Sequence, residues 1–201
     1  MATFLQVQQR VAIDCLNRVD LVPETKRAIL ATIRYYENQR FWFNETATAL
    51  ACSAGQAYIA FPSDFLVLDE LRVRQSSVDY QLIPLNIHEI HRMNADFSRN
   101  LPQWYCQYAQ NFELAPIPDS AYTVTVNYLQ KLSTLSADTD TNDWLSAGED
   151  MVVYGAAKLV AAQLGDIAST SKFAQLEDIF YKNLCKLRDQ KTFTHLTPTK
   201  F

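Results

Sequence analysis

Residues 114–166 constrain the fold more than any other stretch of this 201-residue chain. They begin with a Pro-x-Pro-Asp turn, Leu114-Ala-Pro116-Ile-Pro118-Asp119. The run Tyr122-Thr-Val-Thr-Val-Asn-Tyr128 follows, with Tyr122, Val124, Val126 and Tyr128 at every second position. That alternation is the period of a strand that buries one face. A polar, acidic loop then leads to Trp144-Leu145. From there to Leu164 the chain reads as a helix with small residues on more than one side, among them Gly155, Ala156, Ala157, Ala161 and Ala162. Small side chains let neighbouring backbones approach closely, so such a helix is buried on several faces. A half-buried strand feeding a deeply buried helix requires both a sheet and a helical layer. The expected fold class is α+β: a helical bundle from N- and C-terminal helices with an inserted, mainly antiparallel β-sheet region.

The rest of the chain fits that plan. Residues 3–18 place Phe4, Val7, Val11, Ala12, Cys15 and Leu16 on one helical face. A second helix opens at Pro23, where the missing N–H has no helical partner, with Glu24 at the positive end of the dipole. Its stripe continues through Ile29, Ile33 and Tyr36. Phe41-Trp42-Phe43 cannot share one helix face and marks the hinge where helical packing passes into sheet. The period then becomes two. Thr46–Cys52 and Gln56–Phe61 are expected to be strands joined by Ser53-Ala54-Gly55, with glycine permitting positive φ. A turn at Pro62–Phe65 precedes strands at 68–74 and 80–85, the latter ended or edged by Pro84. Ile87–Met93 reads as a short helix. Residues 104–108, 111–115 and 121–129 read as a three-strand meander. Gly165 is a C′ cap, and Ser171 or Thr170 caps a last amphipathic helix with the stripe Phe173, Leu176, Phe180, Leu184 and Leu187. Lys172, Glu177, Lys182 and Lys186 lie between as its polar positions. The expected segments are 1–43, N-terminal helices; 44–131, β-rich; 132–189, C-terminal helices completing the bundle; and 190–201, an extended tail. One hydrophobic region can serve helices and sheet together, so two independent domains are not required.

Composition and motifs remove most function classes. A net charge of −4 provides no global basic field for nucleic acid or anionic membrane. No uncharged apolar run approaches the ~20 residues of a membrane span, and no basic region precedes an apolar one at the N-terminus. Cys15, Cys52, Cys106 and Cys185 form no C-x-x-C pair and read as reduced thiols of a cytosol-made protein. Asn44-Glu45-Thr46 fits a glycosylation sequon, which carries little weight without a secretory signal. The chain's four glycines are too scattered for a phosphate-cradling loop. His88-Glu89-Ile90-His91 places two histidines on one helix face, but no third ligand accompanies them, and surface or packing roles are favoured. Counted from Asp138, Asp138, Asp140 and Asn142 with Glu149 match the oxygen-ligand spacing of a calcium loop. The sixth position is Asp143 rather than glycine, and a helix cap at Asn142 or Asp143 is the better account. With three histidines, two of them in one segment, nothing argues for a catalytic triad. Arg34, Arg40 and Arg99 flank the aromatic clusters at 41–43 and 104–105, yet core packing outweighs base stacking there. No catalytic residue, metal site or cofactor is expected.

The ordered motifs resemble the head-to-tail adaptor (connector) proteins of tailed bacteriophages. Trp42-Phe43 at a helix end precedes a Thr/Ala strand. Tyr58-Ile-Ala-Phe61-Pro62-Ser-Asp64-Phe65 matches the family's Leu-Pro-x-Asp-Phe turn, with Phe61 in place of leucine. Leu101-Pro-Gln-Trp104-Tyr105 precedes the paired strands, and the 114–166 order completes the set. The first helix and the tail match less well. The resemblance implies a virion structural protein and not an enzyme. It implies a ring, usually of twelve copies, that joins the portal protein to the tail tube or nozzle, with tail fibres as further neighbours. Genomic DNA would pass through the lumen without sequence-specific binding, and no membrane would be involved. The chain would be made in the host bacterial cytoplasm and reside at the head-tail junction. In short-tailed phages the C-terminal segment often reaches into the portal. The tail therefore supplies the candidate portal-docking residues Lys191, Phe193, His195, Leu196, Lys200 and Phe201. The rival expectations are a monomeric ligand- or carbohydrate-binding module built on the sheet, and a peptidoglycan hydrolase using Asp and Glu.

Overall fold

A computed structural model describes residues 1–18 and 20–192, apart from the side chains of Asp14 and Thr192. The fold is α+β, and the chain divides into two compact units. One comprises Met1–Asn44 with the chain from Leu132 onward, and the other is Glu45–Lys131.

The first unit is helical. Helix α1, Phe4–Gln9, opens on a capping box. Thr3 Oγ1 accepts from the Gln6 amide at 3.3 Å, and Gln6 Oε1 accepts from the Thr3 amide at 2.9 Å. The single helix expected over residues 3–18 is instead α1 followed by a π-helical segment, Arg10–Cys15. Helix α2 spans Val22–Tyr36 with Pro23 in its first turn. Helix α4 is Asp143–Ser146, α5 is Glu149–Gln163 and α6 is Ile167–Thr192. The helix expected from Trp144 onward is thus broken before Gly148, the residue type least suited to a helix interior after proline. The short α4 carries Trp144 onto Phe41 and Phe43, with ring centroids 5.6 and 5.1 Å apart. Phe41 and Phe43 stack on one another at 5.2 Å, so the aromatic run belongs to this core. Buried Asn44 closes the turn that holds it: Oδ1 accepts from the Phe41 amide at 2.9 Å and Nδ2 donates to the Gln39 carbonyl at 2.8 Å.

Helix α5 is buried nearly all round, as its composition predicts: Met151, Val152, Val153, Ala156, Ala157 and Ala161 are fully enclosed. It ends in paired closing bonds, Gly165 N–H to the Ala162 carbonyl and Asp166 N–H to the Ala161 carbonyl. Gly165 takes φ of +73°, the left-handed conformation that such a cap requires. The cap of α6 is Asp166, whose Oδ1 accepts from the Ser169 amide at 3.0 Å, and not Thr170 or Ser171. An acceptor one residue past the closing glycine starts the new helix at once, which leaves those two inside it.

The second unit contains two four-stranded sheets. Their strands are β1, Glu45–Cys52; β2, Tyr58–Ala60; β3, Phe65–Gln75; β4, Val78–Gln81; β5, Ile83–Pro84; β7, Trp104–Tyr108; β8, Asn111–Ala115; and β10, Tyr122–Gln130. The first sheet has the order β1-β10-β3-β4 and is antiparallel throughout. The second has the order β2-β8-β7-β5, with β5 parallel to β7. Strands β6, Arg99–Asn100, and β9, Ile117–Pro118, form a short parallel pair. Core residues of both sheets, among them Leu71, Val73, Phe112, Leu114, Val124 and Val126, form one cluster. Helix α3, Ile87–Met93, packs Ile90 near Cys106 and Ala115.

Two pairings differ from expectation. Strands β1 and β2 are consecutive but lie in different sheets, so Ser53-Ala54-Gly55 is a crossover rather than a hairpin turn. Gly55 still takes positive φ, and the Arg99 guanidinium lies 3.3 Å from where a Cβ would be. The 104–129 meander is likewise split: β7 and β8 pair, whereas β10 crosses to the first sheet between β1 and β3. Alternation specifies which face of β10 is buried but not which strand lies beside it.

Candidate docking interface

The tail predicted to dock begins in helix. Lys191, the second residue of the expected 190–201 tail, lies in the last turn of α6, which runs to Thr192. Its Nζ sits 4.2 Å from the centroid of the Trp42 ring. Trp42 is half-buried and meets Phe43 edge-on at 5.3 Å. A cation over an indole face at an exposed site contributes about 0.5–1 kcal/mol, which holds the last turn of α6 against the aromatic turn that follows α2. Lys191 is therefore an orienting residue of the helix end. Phe193, His195, Leu196, Lys200 and Phe201 lie outside the described residues.

The stem of that tail is held by an ionic cluster absent from the sequence reading. Glu177 was expected on the polar side of α6, but it is 5% exposed. Its Oε1 accepts from the Tyr36 hydroxyl at 3.0 Å, and its Oε2 pairs with Lys158 Nζ. Burial first, and the Glu177 charge second, push the Tyr36 phenol well above its ordinary range. Gly155 makes this arrangement possible. A Cβ there would lie 2.5 Å from Thr32 Cγ2 and 2.9 Å from Glu177 Oε1. The cluster floors a cleft of about 360 Å³ beside the 75%-exposed Tyr35. Both carboxylate oxygens have partners, so the group clamps α2, α5 and α6 together. A lysine four residues before the end of the small-residue run, facing an acidic position on the next helix, was the available clue.

The motifs weighed for metal binding are engaged otherwise. Asp138 Oδ1 accepts from Lys26 Nζ at 2.8 Å, which holds its carboxyl below the usual aspartate range. Asp140 Oδ2 accepts from the Ser136 and Ala137 amides, both at 2.8 Å. Asn142 caps α4 through the Leu145 amide at 3.3 Å, and Glu149 pairs with Arg10 at 2.7 Å. Each of the four calcium-spaced positions thus has a local structural task. His91 Nε2 lies 3.1 Å from Glu113 Oε2, and His88 is exposed. Among the described residues no group of three or more His, Cys, Asp or Glu is placed to hold a metal. None of the four cysteines forms a disulfide, and burial raises the Cys52 thiol to about 11, far from a reactive thiolate. Among the described residues no helix is long and apolar enough to cross a membrane.

What the structure offers is surface. Among the described residues β1 and β4 are the open edges of the first sheet, and Ile179 and Leu187 stand about half exposed on α6. A search of curated proteins finds no match to the chain. The sequence profile of the SU10 adaptor protein family matches residues 2–192, every described element included. The chain belongs to the SU10 adaptor protein family, a family of phage structural adaptors.

Proposed function

We propose that this adaptor is a ring subunit at the head-to-tail junction, joining the portal to the tail tube or nozzle and lining the channel through which the genome leaves. The observation that carries this reading is the family match over nearly the whole chain. The ordered motifs from Trp42-Phe43 through Gly165-Asp166 support it. A net charge of −4 suits a lumen that lets DNA pass without gripping it. The segment 193–201 is the portal-docking element in this proposal, with Lys191 directing it from the end of α6. Size-exclusion chromatography with light scattering, on the protein alone and mixed with a portal ring, tests the reading. The free chain is expected to run as a monomer and to form a ring when portal is added. A chain that neither oligomerises nor binds portal at any salt concentration overturns it.

A further inference from the structure

The open edges of the first sheet are complementary to each other. Strand β1 pairs with β10 over eight consecutive residues without a bulge. Among the described residues its other edge has no strand beside it. Beyond Glu45 at its start, it also lacks the usual protection of such an edge, since Thr46–Cys52 contains neither proline nor a charged residue. At the far side β4 likewise has no further strand beside it among the described residues. Every neighbouring pair in β1-β10-β3-β4 is antiparallel, so β1 and β4 run in opposite directions. A second copy set beside the first in the same orientation therefore brings its β1 antiparallel to β4.

The faces match as well. Tyr80 is paired with the buried Val73, and Val78 with Gln75 two residues on, so both stand on the core face. They remain 43% and 51% exposed, with none of the described residues covering them beyond the edge. On β1 the core-face positions are Thr48 and Leu50, opposite the buried Val126 and Val124. Side by side, Val78 and Tyr80 would lie against Thr48 and Leu50, with Asp79 and Gln81 along the small residues Ala47, Ala49 and Ala51. The edges of the second sheet, β2 and β5, have three and two residues and are too short to act as templates.

We infer that β4 of one copy adds to β1 of the next, making a head-to-tail sheet junction between subunits. Such a contact uses two different patches and closes into a ring when its rotation allows. Four residues of β4 form a short ladder, so the junction depends on a neighbour that first gathers the copies. This inference rests on the ring reading above.

Hydrogen exchange on the free chain and on portal-assembled rings tests it directly. The outward amides of residues 46–51 and 78–81 are expected to slow at least tenfold on assembly. Proline at adjacent positions, Thr48→Pro and Ala49→Pro, provides a second readout. One of the two removes an outward N–H and leaves pairing to β10 intact. That variant, recognised by an unchanged melting temperature, is expected to lose ring formation. Rings whose β1 and β4 amides exchange as fast as in the free chain overturn the junction and leave the ring reading standing. Protection of β1 without β4 overturns the second copy as occupant. No ring at all overturns both readings.

Discussion

Gly155 shows what a single hydrogen atom secures here. Thr32 cannot move aside for a methyl group, since it is buried and its hydroxyl donates to the Ala28 carbonyl at 2.9 Å. Gly155→Ala gains about 1 kcal/mol of helix propensity but overpacks by about 1–3 kcal/mol. A net loss of about 1 kcal/mol is expected in urea unfolding, with partial recovery when Thr32→Ser removes the clashing methyl. An unchanged midpoint would show that α2 and α5 separate freely. The need for small residues on α5 was legible in the sequence. The role of Glu177 was not, because a glutamate among lysines reads as solvated until the fold brings Tyr36 and Lys158 to it. The same limit applies to Asp138 and Glu149, whose spacing suggested calcium and whose partners Lys26 and Arg10 lie far off in sequence.

At the scale of elements, helices were legible wherever their signals are local. Residues 87–93 and the start of α2 at Pro23 depend on neighbours within a few positions. Strand pairing does not, so alternation marks β2 and β10 as strands without giving their partners. The junction of α5 and α6 is a third case. Its glycine is legible in the sequence, but its cap is not, because hydroxyl residues at 170 and 171 compete there with Asp166, four and five positions earlier. Asp166→Ala should lower the melting temperature by loss of that cap. Bonds from Ser169 hold the Asp166 carboxyl below its ordinary value of 3.8, and the Ser136 and Ala137 amides do the same for Asp140. A depressed folded-state pKa contributes stability that is complete above the unfolded value and is lost as pH falls through the folded one. Unfolding midpoints should therefore decline below about pH 4, the ordinary aspartate range. Asp166→Asn keeps the acceptor but cannot titrate, so its decline should be shallower than the wild type's. Equal slopes would remove Asp166 from the account.

For the molecule as a whole, the fold class and the family were legible because the order of several weak motifs is specific even where each is degenerate. The first sheet's open edges were not, since they follow from pairings that alternation leaves undetermined. The chain beyond α6 carries the decisive prediction at this scale. Phe193, Leu196 and Phe201 each contribute about 1.5–3 kcal/mol when fully buried. Three such side chains make a small interface, so one copy alone gains little. Many copies held in one ring convert a marginal contact into a firm one, because every tail after the first binds at high effective concentration. Deleting residues 193–201 removes these groups and spares α6 with its Lys191–Trp42 contact. Circular dichroism and melting temperature should stay unchanged, and attachment to a portal ring should weaken at least tenfold. The loss should be steeper for the ring than for the single chain, which separates multivalent docking from a simple contact. A truncated protein that binds portal as the full chain does would move the docking function to the surface of the helical unit itself.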